Sequence, residues 1–200
     1  KVMIPVMGKP LLGHLLDRLQ CCSVLDEIVV ATSIDAGNDN IGTYCEGRGI
    51  PVFRGSESDV LDRLLQALNW LEAQTGVLVF GDCPLIDYQV VDQVIAYFFD
   101  SCFDYVSNGD PPTYPDGLDI EVFKFSVLKQ VWLEAKAQRD REHVTTYIRE
   151  SGHFKVGNYE NDTDFSEERW VVDYPEDYTL VKTIIEHFGS ENGWFGLKEI

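Results

Sequence analysis

The chain has 200 residues, 44% of them hydrophobic and 12% aromatic, enough for one complete α/β core. A formal charge of −18, with 16 Lys and Arg against 34 Asp and Glu, argues against a polymeric nucleic acid as partner. No apolar run reaches the roughly 18 residues of a membrane span, and no signal peptide is visible, so the expectation is a cytoplasmic protein with no membrane partner. Five cysteines, Cys21, Cys22, Cys45, Cys83 and Cys102, show no paired metal spacing and read as reduced thiols.

The chain opens inside an apolar segment, Lys1-Val2-Met3-Ile4-Pro5, with no initiator methionine, so an upstream segment is expected. Pro10 to Gln20 predicts a helix, with proline suited to the first turn and Leu11, Leu12, Leu15, Leu16 and Leu19 apolar. Ile28 to Thr32 reads as a buried strand, residues 38–48 as a short helix ending at Gly49, and Pro51 to Phe53 as a short strand. Ser56 or Ser58 is the expected cap of a long helix that turns Val60, Leu61, Leu64, Leu65, Leu68 and Leu71 inward. Val77 to Phe80 predicts a strand, residues 88–100 a helix, and Phe103 to Ser107 another strand. This alternation predicts a mostly parallel sheet covered on both faces.

A turn-rich stretch, Pro111 to Gly117, then leads into the alternating segment Leu118 to Phe125. Helices near 126–137 and 141–150, a strand near 153–159, a last strand Arg169 to Val172 and a last helix Pro175 to Phe188 complete the reading. Residues 111–160 read as an excursion from a single 1–200 domain.

Several groups carry potential chemistry. Gly81-Asp82-Cys83-Pro84-Leu85-Ile86-Asp87 follows a strand, and ligands of open α/β sheets bind at the carboxyl ends of strands. Asp82 suits a Mg²⁺ ion, which takes one or two carboxylates plus phosphate oxygens, whereas Asp87 suits a helix N-cap. Asp173 also ends a strand. It is either a cap, with Glu176 reaching back, or a second carboxylate beside Asp82. Period 2 puts Asp119 and Glu121 on one face of a strand, either to bond sugar hydroxyls or as a solvated face. Arg141 and His143 lie in a charged helix entry that either grips an anion or pairs internally. Arg54 and Arg63 are candidates for ribose and phosphate contacts, and the remaining histidines read as structural.

Taken in order, these segments resemble a known family. Met7-Gly8-Lys9-Pro10-Leu11-Leu12 is similar to the Gly-Lys-Pro-Leu helix start of sugar nucleotidyltransferases. Val29-Val30-Ala31-Thr32-Ser33, Phe53-Arg54-Gly55-Ser56, Asp59-Val60-Leu61-Asp62-Arg63 and the Gly81–Asp87 motif follow in family order. So do Asp104 to Asn108, Tyr114 to Asp119, Asp140 to Thr145 and Arg169 to Asp177. The set resembles the cytidylyltransferases grouped as spore coat polysaccharide biosynthesis protein F, relatives of CMP-Kdo and CMP-sialic acid synthetases.

That resemblance implies a Rossmann-like nucleotidyltransferase (GT-A-like) three-layer sandwich and transfer of CMP from CTP to a sugar or sugar acid, releasing pyrophosphate. It implies Mg²⁺ held by Asp82 and Asp173, with Lys1, Lys9, Thr32, Arg54 and Arg63 toward the nucleotide. Asp119, Glu121, Arg141 and His143 would lie toward the sugar, and the 111–160 excursion would serve sugar binding and a homodimer contact. Family members begin with a strand and a basic Arg-x-Gly-Ser-x-Arg-Leu-Pro-x-Lys loop, of which only the final lysine is present, as Lys1. Relatives also carry Arg-x-Thr before Gly-Asp, where this chain has Val79 and Phe80 before Gly81. The rival reading is therefore a catalytically inactive relative acting as a binding or dimerisation module.

Overall fold

The computed structural model describes residues 1–189 and 194–200. Residues 190–193 of the expected 1–200 domain lie outside the described residues. A two-residue hairpin opens the chain, β1 (Pro5–Val6) against β2 (Lys9–Pro10). Its turn puts Met7 and Gly8 at φ 49° and 79°, the left-handed pair that suits a tight hairpin. Helix α1 (Leu11–Leu19) follows, and all five of its predicted leucines are buried.

β3 (Val30–Ser33) pairs in parallel with β4 (Val52–Gly55) across α2 (Asp39–Glu46), and α3 (Val60–Trp70) comes next. Neither serine caps α3. The Asp59 carboxylate does, accepting from the Asp62 N–H at 2.9 Å, while Ser56 Oγ accepts from the Asp59 N–H. A carboxylate one position nearer the helix reaches that free N–H directly.

The second sheet orders β5 (Thr75–Leu78), β7 (Glu121–Lys124), β6 (Tyr105–Ser107) and β8 (Val156–Asn158). The α/β reading holds, and parallel pairing is carried by β3–β4 and β6–β8. β7 instead runs antiparallel to both neighbours. The physical reason is its connection: residues 108–120 return from β6 without a crossover helix, so the chain must reverse. An apolar cavity of about 590 Å³, lined by Leu19, Ile28, Val29, Val77, Val79 and Ile95 among others, lies between β3 and β5.

Period 2 sorts the sheet's side chains. Val106 and Val122 join the core formed with α1, α4 (Tyr88–Asp100) and α8 (Pro175–Gly189). Tyr105 and Phe123 face the other way, into the core of α3, α5 (Phe125–Glu134) and α7 (Thr146–Glu150). Helices thus cover both faces in three layers, with the five-residue α6 (Gln138–Glu142) between α5 and α7.

The expected last strand, Arg169 to Val172, is not one: it makes a single bridge, Arg169 to Asp116. Its N–H groups are spent elsewhere. Those of Trp170 and Val171 both donate to the Asp116 carbonyl, and that of Val172 donates to the Asp82 carbonyl at 2.9 Å. Gly117 makes this crossing possible. At φ 109° its missing Cβ would stand 2.5 Å from the Val171 nitrogen.

Candidate active site

The carboxyl ends of β5 and β6 and the amino end of β7 meet at one sheet edge, since Leu78 and Ser107 both register with Glu121. Asp82 follows β5 on the turn after Gly81, and the Val172 N–H to Asp82 carbonyl bond brings the second aspartate loop to it. There the Lys1 ammonium bridges the two carboxylates, at 2.8 Å from Asp82 Oδ2 and 2.7 Å from Asp173 Oδ1. A single cation therefore reaches both.

Burial works against the charge on Lys1, yet its bonds to Asp173 and Asp82 leave its pKa above the usual lysine value. Asp173 is held below the usual carboxylate range by Lys1 and then by Arg169.

Asp173 is not a cap. The α8 start is closed instead by Asp177, whose Oδ2 accepts from the N–H groups of Asp173 and Tyr174, both at 2.9 Å. That is a carboxylate one residue beyond the expected Glu176, and it leaves the Asp173 side chain turned to Lys1. Arg169 ties the arrangement together. It donates to Asp173 Oδ2 at 2.6 Å, to Asp177 Oδ1 at 3.2 Å and to Asp116 Oδ2. The Arg169 guanidinium, with the two backbone N–H bonds, draws Asp177 down to about 2. Arg169 carried no role in the sequence reading, although acidic residues four and eight positions on were its signal.

The other candidates are placed as follows. Asp87 caps α4, accepting from the Gln89 N–H at 2.8 Å. Lys9 pairs with Asp17. Thr32 is buried opposite Arg54 on β3–β4. Arg54 donates to the carbonyls of Ser33 and Asp35 and to Asp39 Oδ1 at 2.8 Å. Arg63 donates to the Ser56 carbonyl, and its buried Nε has no hydrogen-bond partner among the described residues. Arg141 bonds Asp59 and the Trp132 carbonyl, which fits internal pairing. His143 is exposed at the end of α6.

Asp119 Oδ2 accepts from the Gly117 N–H at 3.0 Å, just before β7. Glu121 is not on a solvated face. It is buried, Oε1 accepting from Thr145 Oγ1 at 3.0 Å, while among the described residues neither Oε2 nor the nearby buried Tyr105 hydroxyl has a hydrogen-bond partner. Burial pushes the Glu121 carboxyl up to about 7.

Cys83, the third residue of the opening motif, is 1% exposed, and burial beside Asp82 drives its thiol well above the ordinary value. Titration with an aromatic disulfide in native buffer is expected to modify the exposed Cys21 and Cys102 first and to leave Cys83 and the buried Cys45 unmodified until denaturant is added. Rapid native labelling of Cys83, read by peptide mass, would contradict this burial.

The donor set fits a hard divalent cation. Both side chains are carboxylates, and an ammonium already rests between them. No group of three or more His, Cys, Asp or Glu suited to a metal occurs among the described residues. Remaining positions would fall to water and substrate phosphate, the usual way Mg²⁺ is bound. No helix among the described residues is long and apolar enough to cross a membrane.

A family model described as Cytidylyltransferase matches residues 1–187. The chain is similar to the spore coat polysaccharide biosynthesis protein SpsF of Bacillus subtilis (strain 168), 29% identical over 95% of this chain and 81% of that protein. A cytidylyltransferase structure from Leptospira borgpetersenii serovar Hardjo-bovis superposes with TM-score 0.90 at 30% identity, covering 100% of this chain and 82% of the other. The fold also matches a CMP:2-keto-3-deoxy-manno-octonic acid synthetase solved with CTP, with TM-score 0.73 at 15% identity over 94% and 92% of the two chains.

Proposed function

Because this chain belongs to the cytidylyltransferase family and is a nucleotidyltransferase, we propose that it transfers CMP from CTP to a hydroxyl of a sugar or sugar acid, releasing pyrophosphate, for surface polysaccharide synthesis. The observation that carries the reading is the convergence of Asp82 and Asp173 on one cation at the sheet edge where α/β ligands bind. The names of the relatives, SpsF and a synthetase of CMP-linked octonic acid, support the sugar class.

In this reading Asp82 and Asp173 hold Mg²⁺. The bound ion would neutralise charge developing on the triphosphate, a task of positioning and electrostatics. Lys1, once its two carboxylates are engaged elsewhere, is an ammonium at that edge free to meet a phosphate oxygen. Arg169 bonds the Asp173 carboxylate directly and is itself anchored by Asp177, so the carboxylate pair is preorganised before substrate arrives. Asp119, at the same edge, is the carboxylate we assign to sugar hydroxyls.

Incubation with CTP, MgCl₂ and a panel of aldoses and 2-keto sugar acids, followed by pyrophosphate release and CMP-sugar chromatography, tests the assignment. Product with none of the nucleotide–sugar pairs would defeat it in favour of the non-catalytic binding module.

Arg169→Ala tests the positioning role. It is expected to raise the Mg²⁺ concentration for half-maximal rate about 10- to 100-fold, the range for residues that orient metal ligands, with a smaller change at saturating Mg²⁺. An unchanged Mg²⁺ dependence would show that Asp173 needs no such support.

A further inference from the structure

A cavity of about 260 Å³ lies between the first turns of α4, the Tyr114 loop, the segment after β8 and the C-terminal residues. It shares no lining residue with the Lys1, Asp82 and Asp173 cleft. Its volume falls just below the range of about 300–1,000 Å³ for pockets of drug-sized ligands. That space suits a single sugar ring.

The lining combines aromatic rings with carboxylates. Tyr114 and Tyr159 stack with centroids 6.4 Å apart and planes at 17°, and Trp194 stands edge-on to Tyr88 at 4.4 Å. Tyr114 is 5% exposed, yet its hydroxyl makes no hydrogen bond among the described residues and lines the cavity. The ring is buried while the hydroxyl stays open to the cavity, where it can donate to or accept from a guest. Burial, with Tyr159, Asp162 and Asp87 nearby, lifts its pKa to about 12 and keeps it neutral.

Charge narrows the class. Glu160 and Asp162 also lack hydrogen bonds and ion pairs among the described residues. Among the described residues Glu199 is bonded only to the Gly196 N–H, and Lys198 is the one ammonium in the lining. Asp87 is already satisfied by the Gln89 and Leu197 N–H groups, and Arg18 lies on the Trp194 ring outside the lining. The remaining excess of carboxylate beside aromatic rings repels anions and attracts a cation.

We propose that this cavity binds a small hydroxylated organic ammonium, the chemistry of a protonated amino sugar. The ammonium pairs with Asp162 and Glu160 against the aromatic rings, and ring hydroxyls meet the Tyr114 hydroxyl and the Gln93 amide. Nothing in this assignment depends on CMP transfer.

The test is calorimetry and tryptophan fluorescence at about pH 6.5, where an aliphatic amine is charged, with D-glucosamine, N-acetyl-D-glucosamine and D-glucose. D-Glucosamine is expected to bind saturably in the millimolar range, and the two uncharged sugars about tenfold or more weakly. Asp162→Asn and Tyr114→Phe are each expected to weaken it about tenfold, and saturating CTP with MgCl₂ to leave it unchanged. Asp162 is exposed, so its variant reports even if Tyr114→Phe misfolds. No glucosamine binding, equal binding of all three sugars, displacement by CTP, or full binding by Asp162→Asn would each overturn the proposal.

Discussion

Asp82→Asn is expected to lower CMP transfer by about a thousandfold or more while leaving the fold intact. The arithmetic is direct: a metal at a developing phosphate charge contributes several kcal/mol, and each 1.36 kcal/mol is about tenfold in rate. An amide keeps the size of the side chain but loses the charge that holds a divalent ion. Stability should hardly move, because the fold uses the backbone of this residue and not its carboxylate. The Asp82 carbonyl accepts the Val172 N–H, and among the described residues its carboxylate bonds Lys1 and, weakly, the Cys83 thiol. Asp173→Asn should match the loss of rate. It should also cost some stability, since Arg169 then faces one carboxylate fewer. Pyrophosphate release measures the rate, Mn²⁺ titration by electron paramagnetic resonance the metal affinity, and thermal melting the fold. Normal turnover in either variant would sink the metal assignment, whereas lost turnover with a collapsed melting point would mean that structure, not metal binding, had been tested.

Local chemistry explains which parts of this molecule were legible from sequence. The leucine stripe of α1 specifies its buried face, because period 3.6 leaves no other side to hide. The α3 stripe buries Leu61 and Leu65 but leaves Val60, Leu64 and Leu68 half-buried, with Leu71 beyond the helix. The Asp82 turn was legible for a similarly local reason, an apolar strand followed by Gly-Asp, although β5 spans Thr75–Leu78 rather than Val77 to Phe80 and ends two residues before Gly81. What failed was decided between segments. The direction of β7 depends on whether residues 108–120 contain a crossover helix, and a turn-rich stretch does not announce its path. Residues Arg169 to Val172 have the composition of a strand, but their N–H groups are claimed by two distant carbonyls, those of Asp116 and Asp82. Asp173 could be read as cap or ligand, and the tie was broken by Asp177, whose reach back over one turn only coordinates reveal. Glu121 had the right face and the wrong solvent. Alternation placed it correctly, but the cover supplied by Thr145 arrives from 24 residues away.

That burial gives the second large expectation, a loss of stability as pH rises through the Glu121 titration. The folded-state pKa of about 7 lies above the ordinary glutamate value of 4.5, so between those limits the native protein binds the extra proton. The slope of unfolding free energy with pH follows the protons bound in the unfolded state minus those in the native state, which is negative here. Stability therefore falls from about pH 4.5 to about pH 7, and the full cost of burying the carboxylate is carried above that range. Two to three pKa units at 1.36 kcal/mol each make it about 3 kcal/mol as an order of magnitude. Thr145 and the Tyr105 hydroxyl, which has no hydrogen-bond partner among the described residues, can accommodate an amide at the same place. Glu121→Gln is accordingly expected to flatten this part of the pH profile and to raise stability at pH 8 by about 2–3 kcal/mol. Urea unfolding of the two proteins at intervals from pH 5 to pH 8 measures the difference directly. Parallel profiles would mean that Glu121 ionises freely in the folded protein. A steep fall in sugar-dependent turnover with stability gained would instead show that the buried carboxylate is retained for the acceptor at a cost to the fold.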